Sequence, residues 1–441
     1  MMKHTKYEKF ETAILENGLK VLVFPQTHLH SVSVLAMIRA GHTSENVKNN
    51  GISHLIEHML FDGTEKYPSY KELIEFFNTT SGELSGQTGF ESISIGGTFV
   101  DEEVKQALSA LQQIIYHPLL KEEFLEKEKS IILDELNTYE DSNDYKNFIE
   151  SKRIRFKRES ILSRPVGGTT ESIQSLTHKD VRSFHTTFFV PNNICIIVVG
   201  NNHTNQVLKL IEKLFGTYPK KPVKHKHHSK NLFSDQRIKI TSRKSKKAYI
   251  RISFPSYSWK SDILDRIGLS YVCDFLTNRR DSYLYSHLRE ELGWIYDISS
   301  DYLVGFDIGL FEIVTSTPID KSMEVIKETL KTVHDMKRKL IDKNYFERIK
   351  DIDRKRLKMA LDTPRSIVKW FSEELFYRYP NILLPEDIVQ LFDAITPRHL
   401  ARISQEIFNF EKINISVLQP FGKNEKNRYK EDILKYITDF T

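Results

Sequence analysis

Apolar and polar positions divide the chain into two patterned halves around a short basic stretch. Leu19–Pro25 and Ser31–Arg39 read as strands, the first preceded by the turn pair Asn17-Gly18. Helical periodicity follows from about Gly51 to Phe61 and around Ser69–Thr79, and Glu91–Ile95 then alternates as a half-exposed strand does. Val100–Tyr116 and Lys121–Glu140 carry apolar residues at three- and four-residue spacing on either side of Pro118, which predicts two helices. Ile194–Gly200 is an almost purely apolar strand, and a helix near Gln206–Leu214 precedes a break at Gly216-Thr217-Tyr218-Pro219.

From Lys220 to Gln236 the periodicity disappears into KKPVKHKHHSKNLFSDQ, the composition of a solvated linker. The pattern then resumes with strands near Ile238–Thr241 and Ala248–Phe254, a helix from about Asp262 to Leu276, and a strand near Leu310–Ser316. Helices around Lys321–Lys339 and Asp342–Leu361 follow. The second half repeats the plan of the first, which points to an internal duplication. A chain of 441 residues also exceeds the roughly 250–300 at which one core stops growing. Two domains are therefore expected, 1–219 and 237–441, joined by the linker 220–236.

Composition changes this picture little. With 64 Lys and Arg against 59 Asp and Glu, the charge is too small and dispersed for nucleic acid to be the main partner, and the basic linker lacks aromatic interleaving. Cys195 and Cys273 lie far apart and suggest no disulfide framework and no zinc knuckle, and Cys195 sits in an apolar run as a buried free thiol would. The polar start MMKHTKYEKFETAILENG has no signal-peptide core, and no apolar run approaches the length of a membrane helix. A cytoplasmic protein without a membrane span is expected. His225, His227 and His228 have no carboxylate or structured scaffold beside them in sequence and read as linker residues.

The chemistry is concentrated in the helix Gly51–Phe61, which contains His54-x-x-Glu57-His58. Four-residue spacing puts His54 and His58 on one helix face, one turn apart, where both imidazoles reach one ion. Catalytic Zn²⁺ takes three protein ligands and keeps a fourth position for water. Glu57 projects toward the same side and can take a proton from that water, which makes it the general base and leaves the ligand set one short. A solvated helix face is the bland alternative. Against it, the flanking residues Ile52, Leu55, Ile56, Met59 and Leu60 set the charged trio into a buried helix, where ionisable groups need partners. Glu128 and Glu135 share a face of the helix Lys121–Glu140 and are candidates for the third ligand, as are Asp134 and Glu140 on other faces. Spacing does not choose between Glu128 and Glu135.

These residues resemble the inverted zinc metallopeptidases that include pitrilysin, insulin-degrading enzyme and the mitochondrial processing peptidase, whose motif is H-x-x-E-H. The likeness extends to Arg39-Ala40-Gly41-His42-Thr43-Ser44-Glu45, Asn50-Gly51-Ile52-Ser53, Phe61-Asp62-Gly63-Thr64, Arg164-Pro165 with Gly167-Gly168-Thr169, and Pro191-Asn192-Asn193 leading to Val199-Gly200. The resemblance implies Glu135, 77 residues after His58, as third ligand of one Zn²⁺ per chain, and Glu128 as the carboxylate that supports the site. The segment Ser282–Tyr296 is similar to the family's Arg…Gly-x-x-Tyr, which implies Arg289 and Tyr296 as substrate-binding donors. Without the family, Arg289 reads as a helix-surface charge and Tyr296 as a strand aromatic. Only the first half has the histidine motif, since the corresponding helix of the second reads IGLSYVCDF.

The likeness also implies an α+β fold of two homologous α/β sandwich domains, each a mostly antiparallel sheet covered by helices. It further implies a chamber enclosed by two such subunits, a homodimer with two complete sites or a heterodimer with a diverged partner. One departure concerns substrate preference: Ser85-Gly86-Gln87-Thr88 stands where the family commonly has Asn-Ala followed two residues on by Thr, and Ile95 replaces a frequent tyrosine. The family binds extended peptides along this strand edge. The expected activity is a zinc endopeptidase acting on peptides or unfolded segments. The competing expectation is a non-catalytic or partner-dependent subunit of a heterodimeric processing peptidase. A specific leader peptide is one substrate class open to either.

Overall fold

The computed structural model describes residues 10–227, 232–422 and 424–440. It contains two mixed, mostly antiparallel sheets. The first has strands β1 (Glu11–Ile14), β2 (Lys20–Pro25), β3 (Ser31–Ile38), β4 (Ser85–Thr88), β5 (Ile93–Val100) and β6 (Ile194–Gly200) in the order β1-β2-β6-β3-β5-β4. The second has β7 (Ile238–Ser242), β8 (Ala248–Ser256), β9 (Ile298–Val304), β10 (Gly309–Thr317) and β11 (Asn414–Gln419) in the order β7-β11-β8-β10-β9. One pair in each sheet is parallel, β2 with β6 and β7 with β11. This is the α+β class expected from the sequence. Four helices concern the argument: α1 (Ile52–Met59), α2 (Glu122–Asp141), α3 (Asn143–Arg155) and α4 (Pro364–Glu373).

The apolar runs of β2 and β6 have a packing reason. Val21, Val23, Ile194, Ile196 and Val198 face one core, shared with Leu55, Ile56 and Met59 of α1 and Ile132 and Leu136 of α2. Leu22, Phe24, Cys195, Ile197 and Val199 face a second core completed by Ile367 and Phe371 of α4 and by Leu361 and Leu375. Strands covered on both faces lose the alternation of a half-exposed strand. Cys195 is accordingly a free buried thiol, as is Cys273. The segment read as a strand at Glu91–Ile95 is shifted in the structure: β5 starts at Ile93 and runs through Gly96-Gly97-Thr98 to Val100, because pairing with β3 along eight residues overrides the weak local propensity of the glycines. The following helix consequently begins at Val104 rather than Val100.

The compact units are interleaved in sequence. One comprises the chain to Leu136, Pro165–Lys226 and Arg356–Pro385; the other comprises Asn137–Arg164, His227–Lys355 and Glu386–Thr441. The junction Lys226/His227 lies in the basic stretch. In the second unit, α3 packs on β11, β8 and β7 through polar groups as much as apolar ones. Asn147 Nδ2 donates to the Tyr249 carbonyl at 3.0 Å, and Ser416 Oγ donates to Asn147 Oδ1 at 2.6 Å. Arg155 Nε donates to Ser253 Oγ at 3.1 Å. Among the described residues, no helix is long and apolar enough to cross a membrane.

Candidate metal and catalytic site

The helix that carries the motif is fixed at its start by a buried carboxylate. Glu45 accepts from the Gly51 amide (2.9 Å) and Asn50 Nδ2 (3.0 Å) through Oε2, and from the Ser53 amide (3.0 Å) through Oε1. These amides have no partner within the helix, and a negative group at this end also faces the positive pole of the helix dipole. Gly51 has φ +90°, and a Cβ there would stand 2.8 Å from Gly168 Cα, so the turn into α1 requires glycine.

One turn apart on α1, the rings of His54 and His58 lie 4.7 Å between centroids and nearly perpendicular. Their Nε2 atoms face one carboxylate from α2: His54 Nε2 is 3.8 Å from Glu135 Oε2, and His58 Nε2 is 3.9 Å from Glu135 Oε1. The three donor atoms lie within 4.8 Å of one another. Ligands of a tetrahedral Zn²⁺ stand about 3.4 Å apart, so small side-chain rotations close the set around an ion, and two imidazoles with one glutamate are a known catalytic zinc set. The residues fit the metal. Burial, and then the neighbouring His58, push His54 down to about 4, which keeps it neutral and its Nε2 lone pair available. Its buried Nδ1 has no hydrogen-bond partner among the described residues.

His58 is held from behind. Its Nδ1 is 3.1 Å from Oε2 of the buried Glu128. Burial acts to lower the imidazole, but the bond to Glu128 and the nearby Glu57 and Glu135 carboxylates outweigh it and hold His58 above its ordinary value. Glu128 sits below the usual carboxylate range because His58 and Lys127 overcome its burial. Lys127 Nζ lies 2.8 Å from Glu128 Oε1 and 2.9 Å from Asp62 Oδ1, and its bond to Glu128 raises it to about 12. With Nδ1–H donated to Glu128, the remaining lone pair of a neutral His58 is on Nε2, toward Glu135. Replacing Glu128 with alanine is therefore expected to weaken zinc binding about 10–100-fold, read by competition with a chromogenic chelator. Unchanged affinity would remove this orienting role.

Glu57 accepts a hydrogen bond from Thr88 Oγ1 at 3.1 Å. Burial raises its pKa above the ordinary carboxylate value, with His58 and Thr88 offsetting part of the rise. Of the other acidic residues weighed from sequence, Glu140 lies 3.7 Å from Lys146 Nζ in an ion pair of the second unit. Geometry thus separates Glu135, which faces both Nε2 atoms, from Glu128, which faces the back of one ring.

Arg289 and Tyr296 lie in the second unit, beside each other. Arg289 Nη1 donates to the Ile295 carbonyl at 3.0 Å, and its guanidinium stands 4.8 Å from the Tyr296 ring centroid, with Lys247 Nζ at 5.9 Å. Tyr296 precedes β9 instead of lying in a strand, and at 72% exposure it is free to meet a ligand. In the basic stretch, His227 does have a carboxylate beside it, with Asp307 Oδ2 3.2 Å from its Nδ1, a neighbour that the fold supplies from far along the chain. His228 lies outside the described residues. The parts with no assigned role from sequence are Glu45, Asp62, Thr88 and Lys127. Glu45, Asp62 and Thr88 fall in segments compared with the family above, but none has a local pattern that gives it a role.

The family model described as insulinase (peptidase family M16) matches residues 21–169, and that described as peptidase M16 inactive domain matches 175–352. An uncharacterised zinc protease of Rickettsia bellii is 25% identical over 409 residues, covering 91% of this chain and 96% of its own length. The zinc protease YmxG of Bacillus subtilis is 26% identical over 413 residues, covering 92% of this chain and 97% of its own length. The mitochondrial-processing peptidase subunit beta of Mus musculus is 30% identical over 206 residues, 47% of this chain and 42% of that protein. Among solved structures, a protease from Helicobacter pylori superposes with a TM-score of 0.87 at 19% identity, covering 93% of this chain and 99% of that one, which is a likeness of fold. With a model of the peptidase half and a model of the inactive half matched in order, and the His54, His58 and Glu135 donors gathered in the first, the chain belongs to the M16 family of zinc peptidases, the insulinase and pitrilysin family.

Proposed function

We propose that this chain is an endopeptidase that hydrolyses peptides or unfolded segments inside a chamber enclosed by two subunits, with Glu57 as general base. The observation that carries the reading is the convergence of His54, His58 and Glu135 on one point, next to a half-buried carboxylate, Glu57, whose pKa is raised. When bound by these three residues, one Zn²⁺ per chain supplies a water of lowered pKa and polarises the scissile carbonyl. Glu57 takes the proton from the attacking water and returns it to the leaving amine. Its raised pKa brings it closer to the working pH, where proton uptake and release are better balanced. Glu128 holds His58 in the ligating tautomer. Arg289 and Tyr296 offer a guanidinium and a phenol to the peptide carbonyl oxygen, which carries the developing charge. A homodimer would present both sets twice, and a diverged second subunit would present them once.

The test is cleavage of a library of quenched fluorescent peptides by the purified protein, with zinc content and oligomeric mass measured on the same sample. Cleavage stopped by a chelator and restored by added zinc is expected. A zinc-loaded chain that cleaves nothing would favour the partner-dependent subunit, and a chain that retains no zinc would overturn the reading.

A further inference from the structure

We propose that a cavity in the first unit is a second ligand site, which takes a small carboxylate carrying a hydrogen-bond donor next to its charge, as 2-hydroxy and 2-amino acids do. The cavity, of about 310 Å³, is lined by the end of the helix Val104–Tyr116, by the helix His178–Phe188 and by the start of the basic stretch, all within the first unit. Neither the metal donors nor Glu57 lines it. Its volume is at the small end of the range for small-molecule sites. One wall is held by its own contacts. Tyr116 stacks on Tyr218 with ring centroids 3.9 Å apart. With His117 Nδ1–H donated to Glu65 Oε2 at 2.9 Å, His117 Nε2 accepts from the Tyr218 hydroxyl at 2.5 Å, which in turn accepts from Gln112 Nε2 at 2.5 Å. This run of hydrogen bonds engages the polar groups of the wall with one another.

Other polar groups at the cavity have no such partners among the described residues. His185 Nε2 donates to the Ile115 carbonyl at 2.8 Å, which leaves the lone pair of Nδ1 as an unused acceptor. Burial pushes His185 down to about 4 against the pull of the Ile115 bond, and the Arg182 and Lys221 charges act in the same direction as burial. The ring is therefore neutral, and both cations lie near it. It stacks on Phe189 with centroids 4.6 Å apart. Arg182 precedes His185 by three residues on one helix and shares its side. Lys221 is fixed through its backbone: Asn192 Nδ2 donates to its carbonyl at 2.9 Å, and its amide donates to Asn192 Oδ1 at 3.0 Å. No carboxylate pairs with Arg182 or Lys221 among the described residues. Two cations call for an anion, and a neutral imidazole acceptor calls for an N–H or O–H beside it. A carboxylate with a hydroxyl or ammonium on the adjacent carbon supplies both in one small group. Phe189, Val190 and Pro191 offer an apolar surface to the rest of the molecule.

The experiment is calorimetric titration of the zinc-loaded full chain with phenylalanine and with mandelate, which carry the amino and the hydroxy form of the same group. Phenylacetate, which lacks the donor, and phenylalaninamide, which lacks the carboxylate, are the controls. At least one probe is expected to bind with a Kd of about 1 mM or tighter, and the controls about 10-fold more weakly. Whichever probe binds better assigns the donor as ammonium or hydroxyl. Changing Arg182→Met and Lys221→Met together should weaken that probe by about 10-fold or more while zinc content and thermal unfolding stay as they are, since both side chains are exposed. His185→Phe keeps an aromatic ring over Phe189 but removes the acceptor, so it should erase the preference for the probe over phenylacetate. Binding that survives the double change would place the probe elsewhere, the metal site included, and overturn the proposal. So would probes that bind no better than the controls, or that do not bind.

Discussion

The Glu57→Gln chain will bind zinc as the unsubstituted protein does and lose peptide hydrolysis by about 10²–10⁴-fold. Glutamine keeps the shape of the side chain, so a hydrogen bond from Thr88 survives. It has no basic oxygen, so nothing remains beside the donors to take the proton of water. The ligands are untouched, because the Nε2 atoms of His54 and His58 face Glu135 and not Glu57. Metal analysis and kcat on one preparation decide the matter. Zinc lost together with activity would make Glu57 part of the metal site, and undiminished kcat would exclude it as the base. The pattern opposes that expected for Glu128→Ala, where metal affinity falls first.

The Glu312→Gln chain will lose about 3–5 kcal/mol of stability, the usual cost of removing one partner from a buried ion pair. Glu312 accepts from two guanidiniums, Arg155 through Oε1 and Arg251 through Oε2, the latter at 2.7 Å. Arg155 is 2% exposed, and its burial works against the charged form. Arg251 also reaches Asp144 at 2.8 Å, which ties the start of α3 to the sheet as Arg155 ties its end. Without the negative charge, Arg155 keeps Ser253 and Ser151 as neutral partners. Against a total stability of about 5–15 kcal/mol for a domain, that loss is large. Denaturant unfolding should show an earlier transition for the second unit with the first little changed. Pairing Glu312→Met with Arg155→Met should recover much of it, because an apolar replacement of the whole pair leaves no orphaned charge. A shift below about 1 kcal/mol would show that solvent or other groups already satisfy Arg155.

The contrast between these two regions explains what the sequence revealed. The motif on α1 is local: two histidines and a glutamate at fixed helical spacing, framed by apolar residues. The apolar runs of β2 and β6 were legible for the same reason. Helix α3 was not, because it meets its sheet through Asn147, Ser151, Arg155 and Glu150 alongside Ile149 and Ile154, leaving little apolar periodicity to read. Helix α4 is amphipathic, yet its apolar face covers strands more than 150 residues earlier in the chain, a pairing that no local pattern encodes. The supporting cast of the site is equally non-local. Thr88, Lys127 and Asp62 acquire meaning only when β4, α2 and the end of α1 meet.

The interleaving of the two units bears on how the molecule can be cut. A fragment ending near residue 219 lacks α4 and would expose Leu22, Phe24, Ile197 and Val199 of its own sheet. A fragment beginning near residue 237 lacks α3, and leaves Ser416, Arg251 and Glu312 without the helix that they bind. Neither piece carries a finished fold. A nick in the basic stretch would therefore yield two polypeptides that stay joined, each completing the other with a borrowed helix.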